Sequence, residues 1–183
     1  MEKLNQSGNI IETKEMPVSG ILTGISKGYL ATWDVDRGND QYQKGCFLAD
    51  IEKKKARGKN IPLKNGHGKT IGKIPIDLVF EDNIGLFIEG QINLEVQEGR
   101  ETFSLIKQQA IQEFSIGYIA EQKEFANGVR KIYKSIILEG SVEPIPMNED
   151  AIITEVKSRD TLPTKFAEKT YLFNHLILQK LYQ

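Results

Sequence analysis

Apolar and polar residues alternate strictly in the segment "EFSIGY", residues 113–118. In an extended strand successive side chains point to opposite faces, so Phe114, Ile116 and Tyr118 share one face, and Ser115 and Gly117 share the other. The pattern predicts a strand anchored by its large residues, with Ser115 on the accessible side. A purely structural serine beside a bulge-forming glycine is the simpler alternative.

Similar patterns predict most of the remaining elements. A helix is expected between Glu95 and Gln112, where Phe103, Ile106 and Ala110 follow helical spacing. A shorter helical stretch runs from Phe47 to Ile51. Strands or hairpins are predicted in "VSGILTGISKGYLATW", in "TIGKIPIDLVFED" with "GLFIEGQIN", in "FSIGYIAEQKEF" with "RKIYKSIILEGSVEP" across the turn "ANG", and in "AIITEVKS", a short strand or the domain edge.

The ends of the chain are patterned differently from its middle. The organisation predicted is a flexible N-terminal arm over residues 1–17, a domain over residues 18–157, and a linker with a helical tail over residues 158–183. The tail follows the linker-like "RDTLP" and has a wide apolar face. We expect that face to pack on the domain, a sister subunit or another partner.

Composition narrows the class of protein. The 183 residues are 39% hydrophobic and 27% charged with a net charge of −1, which favours one soluble globular domain over a dedicated nucleic-acid-binding protein. A local cationic stretch, "EKKKARGKN" with Lys64, Lys69 and Lys73, could contact phosphates. It lacks the interleaved aromatic residues that single-strand binding favours, so a solvated surface is expected there.

Cysteine and histidine are scarce. Cys46 is the only cysteine, which excludes an internal disulfide and a cysteine-rich zinc site. His67 and His175 are the only histidines, and no carboxylate spacing resembles a metal site, so no metal or cofactor is expected. Without a signal-peptide or membrane-span pattern, the protein is expected to be cytoplasmic.

Three polar residues have the chemistry of a nucleophilic triad. A serine hydroxyl needs a base to take its proton, and an imidazole base works best when a third group fixes its tautomer. Ser115, His67 in "NGHGK", and Glu139 in "LEGSVEP" could fill these roles. Ser141 is predicted on the strand face of Glu139, but each residue alone is also explained by an ordinary surface position.

The chain resembles the prohead (capsid maturation) proteases of tailed phages, which are related to the herpesvirus assemblin fold. The resemblance spans roughly residues 20–157, in "GYLATWDVDRGNDQYQKGCF", "PLKNGHGKTIGK", "EDNIGLFIEGQI", "EFSIGY" and "LEGSVEPIPMNEDA". It implies an α+β fold with a mostly antiparallel, barrel-like β-sheet surrounded by helices. It also implies that His67 is the general base, Ser115 the nucleophile and Glu139 the third member of the triad.

The implied function is serine endopeptidase of capsid maturation. The resemblance implies cleavage of the scaffolding segment, the major capsid protein and the protease itself, inside the procapsid in the host cytoplasm. No membrane or nucleic-acid partner is expected, and a homo-oligomer stays open. Ser141 and Gly117 are predicted to support the site, Gly117 by leaving room for the substrate backbone beside Ser115.

Some residues depart from the family pattern. Relatives usually have a bulky aromatic and an amide just before the histidine and an acid after it, whereas this chain has Asn65, Gly66 and Gly68. Gly140 and Glu143 stand where relatives have apolar residues. These departures support a rival interpretation, a non-catalytic assembly or scaffolding protein that retains the fold. A nucleophilic pair of Cys46 and His67 is a further alternative, less favoured than the serine because Cys46 is expected to be small and buried.

Overall fold

Nine β-strands, two α-helices and a short 3-10 helix form residues 22–159, the part of the chain that the computed structural model describes. The strands are β1 Thr23–Thr32, β2 Asp40–Tyr42, β3 Ile61–Asn65, β4 Thr70–Ile74, β5 Val79–Glu81, β6 Gly85–Asn93, β7 Glu113–Ala126, β8 Val129–Glu143 and β9 Ile153–Arg159. The helices are α1 Leu48–Ala56 and α2 Gln97–Lys107, and the 3-10 helix is Ile76–Leu78.

Local turn chemistry explains the two hairpins that the sequence predicts. Between β5 and β6, Oδ1 of Asp82 accepts the backbone N–H groups of Ile84 at 2.7 Å and Gly85 at 3.0 Å. Between β7 and β8, Asn127 and Gly128 have φ of 54° and 80°, and positive φ at both central residues is typical of a type I′ hairpin turn. Both predicted hairpins are confirmed.

Helix α2 and strand β9 also agree with the pattern. Phe103 and Ile106 are buried on one side of α2, as their spacing predicts. The segment "AIITEVKS" contains β9, which pairs with β1 in the antiparallel direction. The predicted short strand is therefore present, and it also lies at one end of the sheet.

The sheet is mixed and is not closed. Its strands follow the order β2-β8-β3-β4-β6-β1-β9, with β7 paired to β8 and β5 to β6. Strand β8 runs parallel to both β2 and β3, whereas the other pairs are antiparallel. Two edge strands, β2 and β9, end this path. The predicted barrel is therefore not found in residues 22–159, and two helices do not surround the sheet.

The difference has a physical reason. Alternation along a strand indicates which side chains share a face, but it does not indicate which strand lies beside it. The parallel pairing of β3 with β8 joins segments that are far apart in sequence. No local turn signal marks such a pairing.

One apolar core is shared by the sheet and both helices. Its fully buried side chains include Leu30, Phe47, Leu63, Ile74, Leu86, Ile88, Phe114 and Ile132. Ile116 and Tyr118 pack against this core from β7, as the alternation of "EFSIGY" predicts. No helix within residues 22–159 is long and apolar enough to cross a membrane.

The predicted boundaries fall near the ends of the described region. Residues 1–17, the predicted arm, lie outside it, and so does the predicted tail apart from Ser158 and Arg159 at the end of β9. The arm and the tail helix therefore stay predictions.

Candidate active site

A tight turn between β3 and β4 presents His67. Gly66 and His67 have φ of 57° and 55°, and the Gly68 N–H donates to the Asn65 carbonyl at 2.9 Å. Glycine adopts positive φ without penalty, and histidine is one of the few other residues enriched there. The Gly66 N–H donates to the Val142 carbonyl at 3.1 Å, which ties the turn to β8.

The register of β7 and β8 brings the other two predicted residues beneath this turn. Ser115 lies opposite Ser141, and Gly117 lies opposite Glu139. The parallel pairing of β3 with β8 places Lys64 opposite Ser141, so the chain reaches the site three residues later at His67. Three segments distant in sequence therefore meet at one point of the sheet.

His67 lies between Ser115 and Glu139. Its Nδ1 is 2.6 Å from Oε1 of Glu139, and its Nε2 is 3.1 Å from Oγ of Ser115. An ionised carboxylate can only accept a hydrogen bond, so this contact favours the tautomer with the proton on Nδ1. The Nε2 lone pair is then available to the serine hydroxyl. Ser115 and Glu139 are buried, whereas the His67 side chain is 44% exposed.

Gly117 makes room for the carboxylate of Glu139. A Cβ atom at this position would lie only 2.2 Å from Oε1 of Glu139, far inside ordinary van der Waals contact. Gly117 therefore has a contact within the site, and its role in leaving room for a substrate backbone stays a prediction. The other carboxylate oxygen, Oε2, is buried and has no hydrogen-bond partner among the described residues.

Ser141 and Glu143 continue the same face of β8. Oγ of Ser141 lies 3.2 Å from Nδ1 of His67 and donates to Oε1 of Glu143 at 3.3 Å. That Glu143 oxygen is also 3.6 Å from Nε2 of His67. Ser141 therefore lies beside the imidazole, its supporting role stays a prediction, and Glu143 adds a second carboxylate.

Helix α2 fixes the histidine turn from its outer side. Glu98 accepts from the Asn65 side-chain amide at 2.7 Å and from Nζ of Lys69 at 3.1 Å. These two bonds, that from Asn65 first, lower the pKa of Glu98. Asn65 and Lys69 flank the turn on both sides, so one carboxylate restrains both of its ends. The side chain that precedes the turn therefore serves to hold it.

A cleft of about 140 Å³ opens beside Ser115 and His67. One of the residues that line the cleft is Asp36. Burial and the charge of the neighbouring Asp40 raise the pKa of Asp36. The backbone N–H groups of Asp40 and Gly38 and the charge of Arg130 oppose this shift. The lining consists of Leu30, Asp36, Gly38, Asp40, Tyr42, His67, Ser115, Ile116, Tyr118, Met147 and Asn148. A larger cavity of about 400 Å³ between α2 and β9 contains none of the predicted site residues.

A charged network supports one wall of the cleft. Asp40 accepts from the Tyr118 hydroxyl and from Arg130, with Nε of Arg130 at 2.5 Å from Oδ1. Burial acts to raise the pKa of Asp40, but the bonds from Arg130 and Tyr118 outweigh burial and lower it. Burial and the bond to Asp40 raise the pKa of Tyr118 to about 12. Tyr118 therefore stays protonated near neutral pH.

Cys46 is buried in the core. Burial, and then the charge of Glu81, raise the pKa of its thiol. A thiol that resists ionisation is a poor nucleophile, which disfavours the Cys46–His67 alternative. No cluster of potential metal ligands occurs in residues 22–159.

Sequence reasoning missed the network around Asp40. The composition of "DVDRGND" is typical of a turn, and Asp36 accepts the backbone N–H groups of Gly38 and Asp40 at 2.8 and 2.9 Å. The same turn delivers Asp40 to the parallel pair of β2 and β8, where Asp40 lies opposite Arg130. Only an unusual density of carboxylates hinted at this role.

The chain matches a solved structure and a family model. The chain has structural similarity to varicella-zoster virus protease, with 14% sequence identity and a TM-score of 0.44. The match covers 76% of this chain and 65% of that protease. No curated protein sequence matches the chain. A family model described as caudovirus prohead serine protease matches residues 12–165. The chain therefore belongs to the caudovirus prohead serine protease family.

Proposed function

We propose that this chain is a serine endopeptidase of capsid maturation in which Ser115, His67 and Glu139 form the catalytic triad. The observation that carries the proposal is the position of His67, with Nε2 at 3.1 Å from Ser115 Oγ and Nδ1 at 2.6 Å from Glu139 Oε1. Family membership supports the serine protease class.

The proposed reaction begins with proton transfer from Ser115. As Oγ bonds to the scissile carbonyl carbon, its proton moves to Nε2 of His67. Collapse of the tetrahedral intermediate breaks the carbon–nitrogen bond, and Nε2 returns the proton to the leaving amine. Water, activated by the same nitrogen, then hydrolyses the acyl-enzyme and restores the Ser115 hydroxyl.

Glu139 and Ser141 act on the other edge of the imidazole. Glu139 holds the proton on Nδ1 and stabilises the imidazolium that forms during attack. Its burial strengthens this interaction, because water competes weakly there. Ser141 offers a second acceptor to Nδ1 at 3.2 Å, which restrains rotation of the ring.

The proposed substrates are the scaffolding segment, the major capsid protein and the chain itself. Family membership implies action on capsid or scaffold proteins in the prohead, inside the host cell. The cleft beside Ser115 is the proposed entry point for a substrate side chain.

A non-catalytic scaffolding protein is not favoured. That alternative rested on the altered residues around His67, yet Asn65 and Gly66 hold the turn that carries the histidine. The family match also describes proteases. The departures from the pattern therefore do not argue for loss of the site.

The first test uses a probe that needs no peptide specificity. Diisopropyl fluorophosphate should add one phosphoryl group to Ser115: the Oγ–phosphorus bond forms, fluoride leaves, and His67 takes the hydroxyl proton. Intact mass should show single labelling of the full chain and none of Ser115→Ala. His67→Ala should label at least about 1,000-fold more slowly, because the hydroxyl has lost its base.

Ser104→Ala, at an exposed serine of α2, is the matched control and should label like the wild type. Co-expression with the major capsid protein, followed by intact-mass measurement of both chains, should reveal proteolytic trimming that Ser115→Ala abolishes. Labelling or trimming that persists in Ser115→Ala would refute the assignment. Unchanged masses with the wild type would instead favour the scaffolding alternative.

A further inference from the structure

Two carboxylates flank the imidazole of His67. Glu139 contacts Nδ1 at 2.6 Å, and Glu143 Oε1 lies 3.6 Å from Nε2, the nitrogen that faces Ser115. The two glutamates project from the same face of β8 because they are four residues apart. Ser141, between them, donates to Glu143 at 3.3 Å and keeps its carboxylate directed to the ring.

We propose that Glu143 is a positioning residue that acts through His67 and makes it a stronger base; this inference rests on the proposed triad. In the resting state Nε2 carries no proton and lies 3.6 Å from the Glu143 oxygen, so two negative regions repel each other. After Ser115 transfers its proton, the same nitrogen carries an N–H and positive charge, and the contact becomes attractive. An interaction that is stronger in the transition state than in the ground state accelerates the reaction.

The nearby lysines do not neutralise the interaction between Glu143 and His67. From β3, Nζ of Lys64 contacts the backbone carbonyl of His67 at 3.4 Å. Beyond the turn, Lys69 is paired with Glu98 of α2 at 3.1 Å. Neither lysine is among the ion-pair partners of Glu143, whose contacts in the described residues are Ser141 and His67.

Two further carboxylates belong to the surroundings. Asp36 shares the cleft with His67, and Glu113 of β7 lies opposite Glu143 in the register. Both add negative charge and, like Glu143, favour a protonated imidazole. Arg130 is paired with Asp40, so these two charges largely cancel. The charge near the imidazole is then set by the glutamates and Asp36.

The test compares Glu143→Gln with the wild type in labelling by diisopropyl fluorophosphate between about pH 5 and 10. The label rate should rise with pH as His67 loses its proton and then reach a plateau. In Glu143→Gln the rising limb should move to lower pH by about 0.5 to 1 unit, and the plateau should fall about 3- to 10-fold. A merely structural loss would lower the rate without moving the limb.

Glu113→Gln is the matched control, since it removes the same charge from the neighbouring strand, outside the contacts of the imidazole in residues 22–159. Its limb should move much less. Glu143→Asp keeps the charge but moves it farther from His67, because the side chain is shorter. Its rising limb should lie between those of the wild type and Glu143→Gln, and this variant replaces Glu143→Gln in the test if Glu143→Gln fails to fold.

A limb that stays at the wild-type pH in a folded Glu143→Gln, or in Glu143→Asp if only that variant folds, overturns the inference. Ser115→Ala separates the two levels of the proposal. If Ser115→Ala still labels, the triad itself is wrong; if it does not label and the limb is unmoved, only the role of Glu143 is wrong.

Discussion

Replacing Gly117 by alanine should disable the site by displacing Glu139. The added Cβ would lie 2.2 Å from Oε1 of Glu139, whereas ordinary contacts begin near 3.4 Å. The carboxylate must therefore retreat by about 1 Å or more, away from a 2.6 Å contact with Nδ1 of His67. Gly117 has no positive φ, so alanine adds the clash without backbone strain.

Two effects of this substitution can be estimated. A hydrogen bond to a charged group contributes about 1.5 to 3 kcal/mol, so its loss should slow labelling by diisopropyl fluorophosphate about 10- to 100-fold. Overpacking against a buried group such as the Glu139 carboxylate costs about 1 to 3 kcal/mol, which urea unfolding should detect as a lower midpoint.

A double-mutant cycle locates the cause. In a Glu139→Ala background the carboxylate is gone, so adding Gly117→Ala should cost much less stability than it costs the wild type. Equal costs in both backgrounds would contradict the clash. If Gly117→Ala kept stability and labelling but lost peptide cleavage, Gly117 would instead make room for the substrate.

The remaining predictions concern charges. Glu139→Gln should fold normally and label more slowly than the wild type, yet faster than Ser115→Ala, because it keeps the nucleophile and misorients the base. Asp36→Asn keeps the oxygen that accepts the turn N–H groups. Since the folded pKa of Asp36 is raised, its ionisation opposes folding, so the variant should unfold at higher urea than the wild type at pH 7, and the gain should vanish near pH 3. Arg130→Gln should lose about 2 kcal/mol at pH 7, because Asp40 loses its ion-pair partner and keeps only the Tyr118 hydroxyl. The lowered pKa of Asp40 means that its contribution is present above its ordinary value of 3.8 and is lost as pH falls through the folded pKa, so the deficit should shrink on acidification; a constant deficit in urea unfolding would contradict this.

Local pattern was enough to predict β7, β8 and α2, three of the elements around the site, but not β3, which leads to His67. The alternation in "EFSIGY" predicts β7 with Phe114 buried, and "ANG" predicts the β7–β8 turn, because side-chain direction and turn type depend on neighbouring residues. Helix α2 follows from apolar spacing for the same reason. The triad residues, by contrast, were singled out by their chemistry and by the family resemblance.

Long-range pairing decided what the pattern could not. Gly117 contacts Glu139 only because the register of β7 and β8 places them opposite one another. Asp40 meets Arg130 only through the parallel pair of β2 and β8. The open, mixed sheet has the same origin, since strand order depends on packing between segments distant in the chain.

The sequence by itself therefore determined most of the strands, though not β2 or β3, and the candidate chemistry of Ser115, His67 and Glu139. Tertiary structure alone decided that Gly117 makes room for the carboxylate of Glu139. It also decided that Glu143 lies 3.6 Å from Nε2 of His67. The physical reason is that a strand's period repeats every two residues, whereas distances between side chains of different strands depend on register, which no local signal of the β3 and β8 segments encodes.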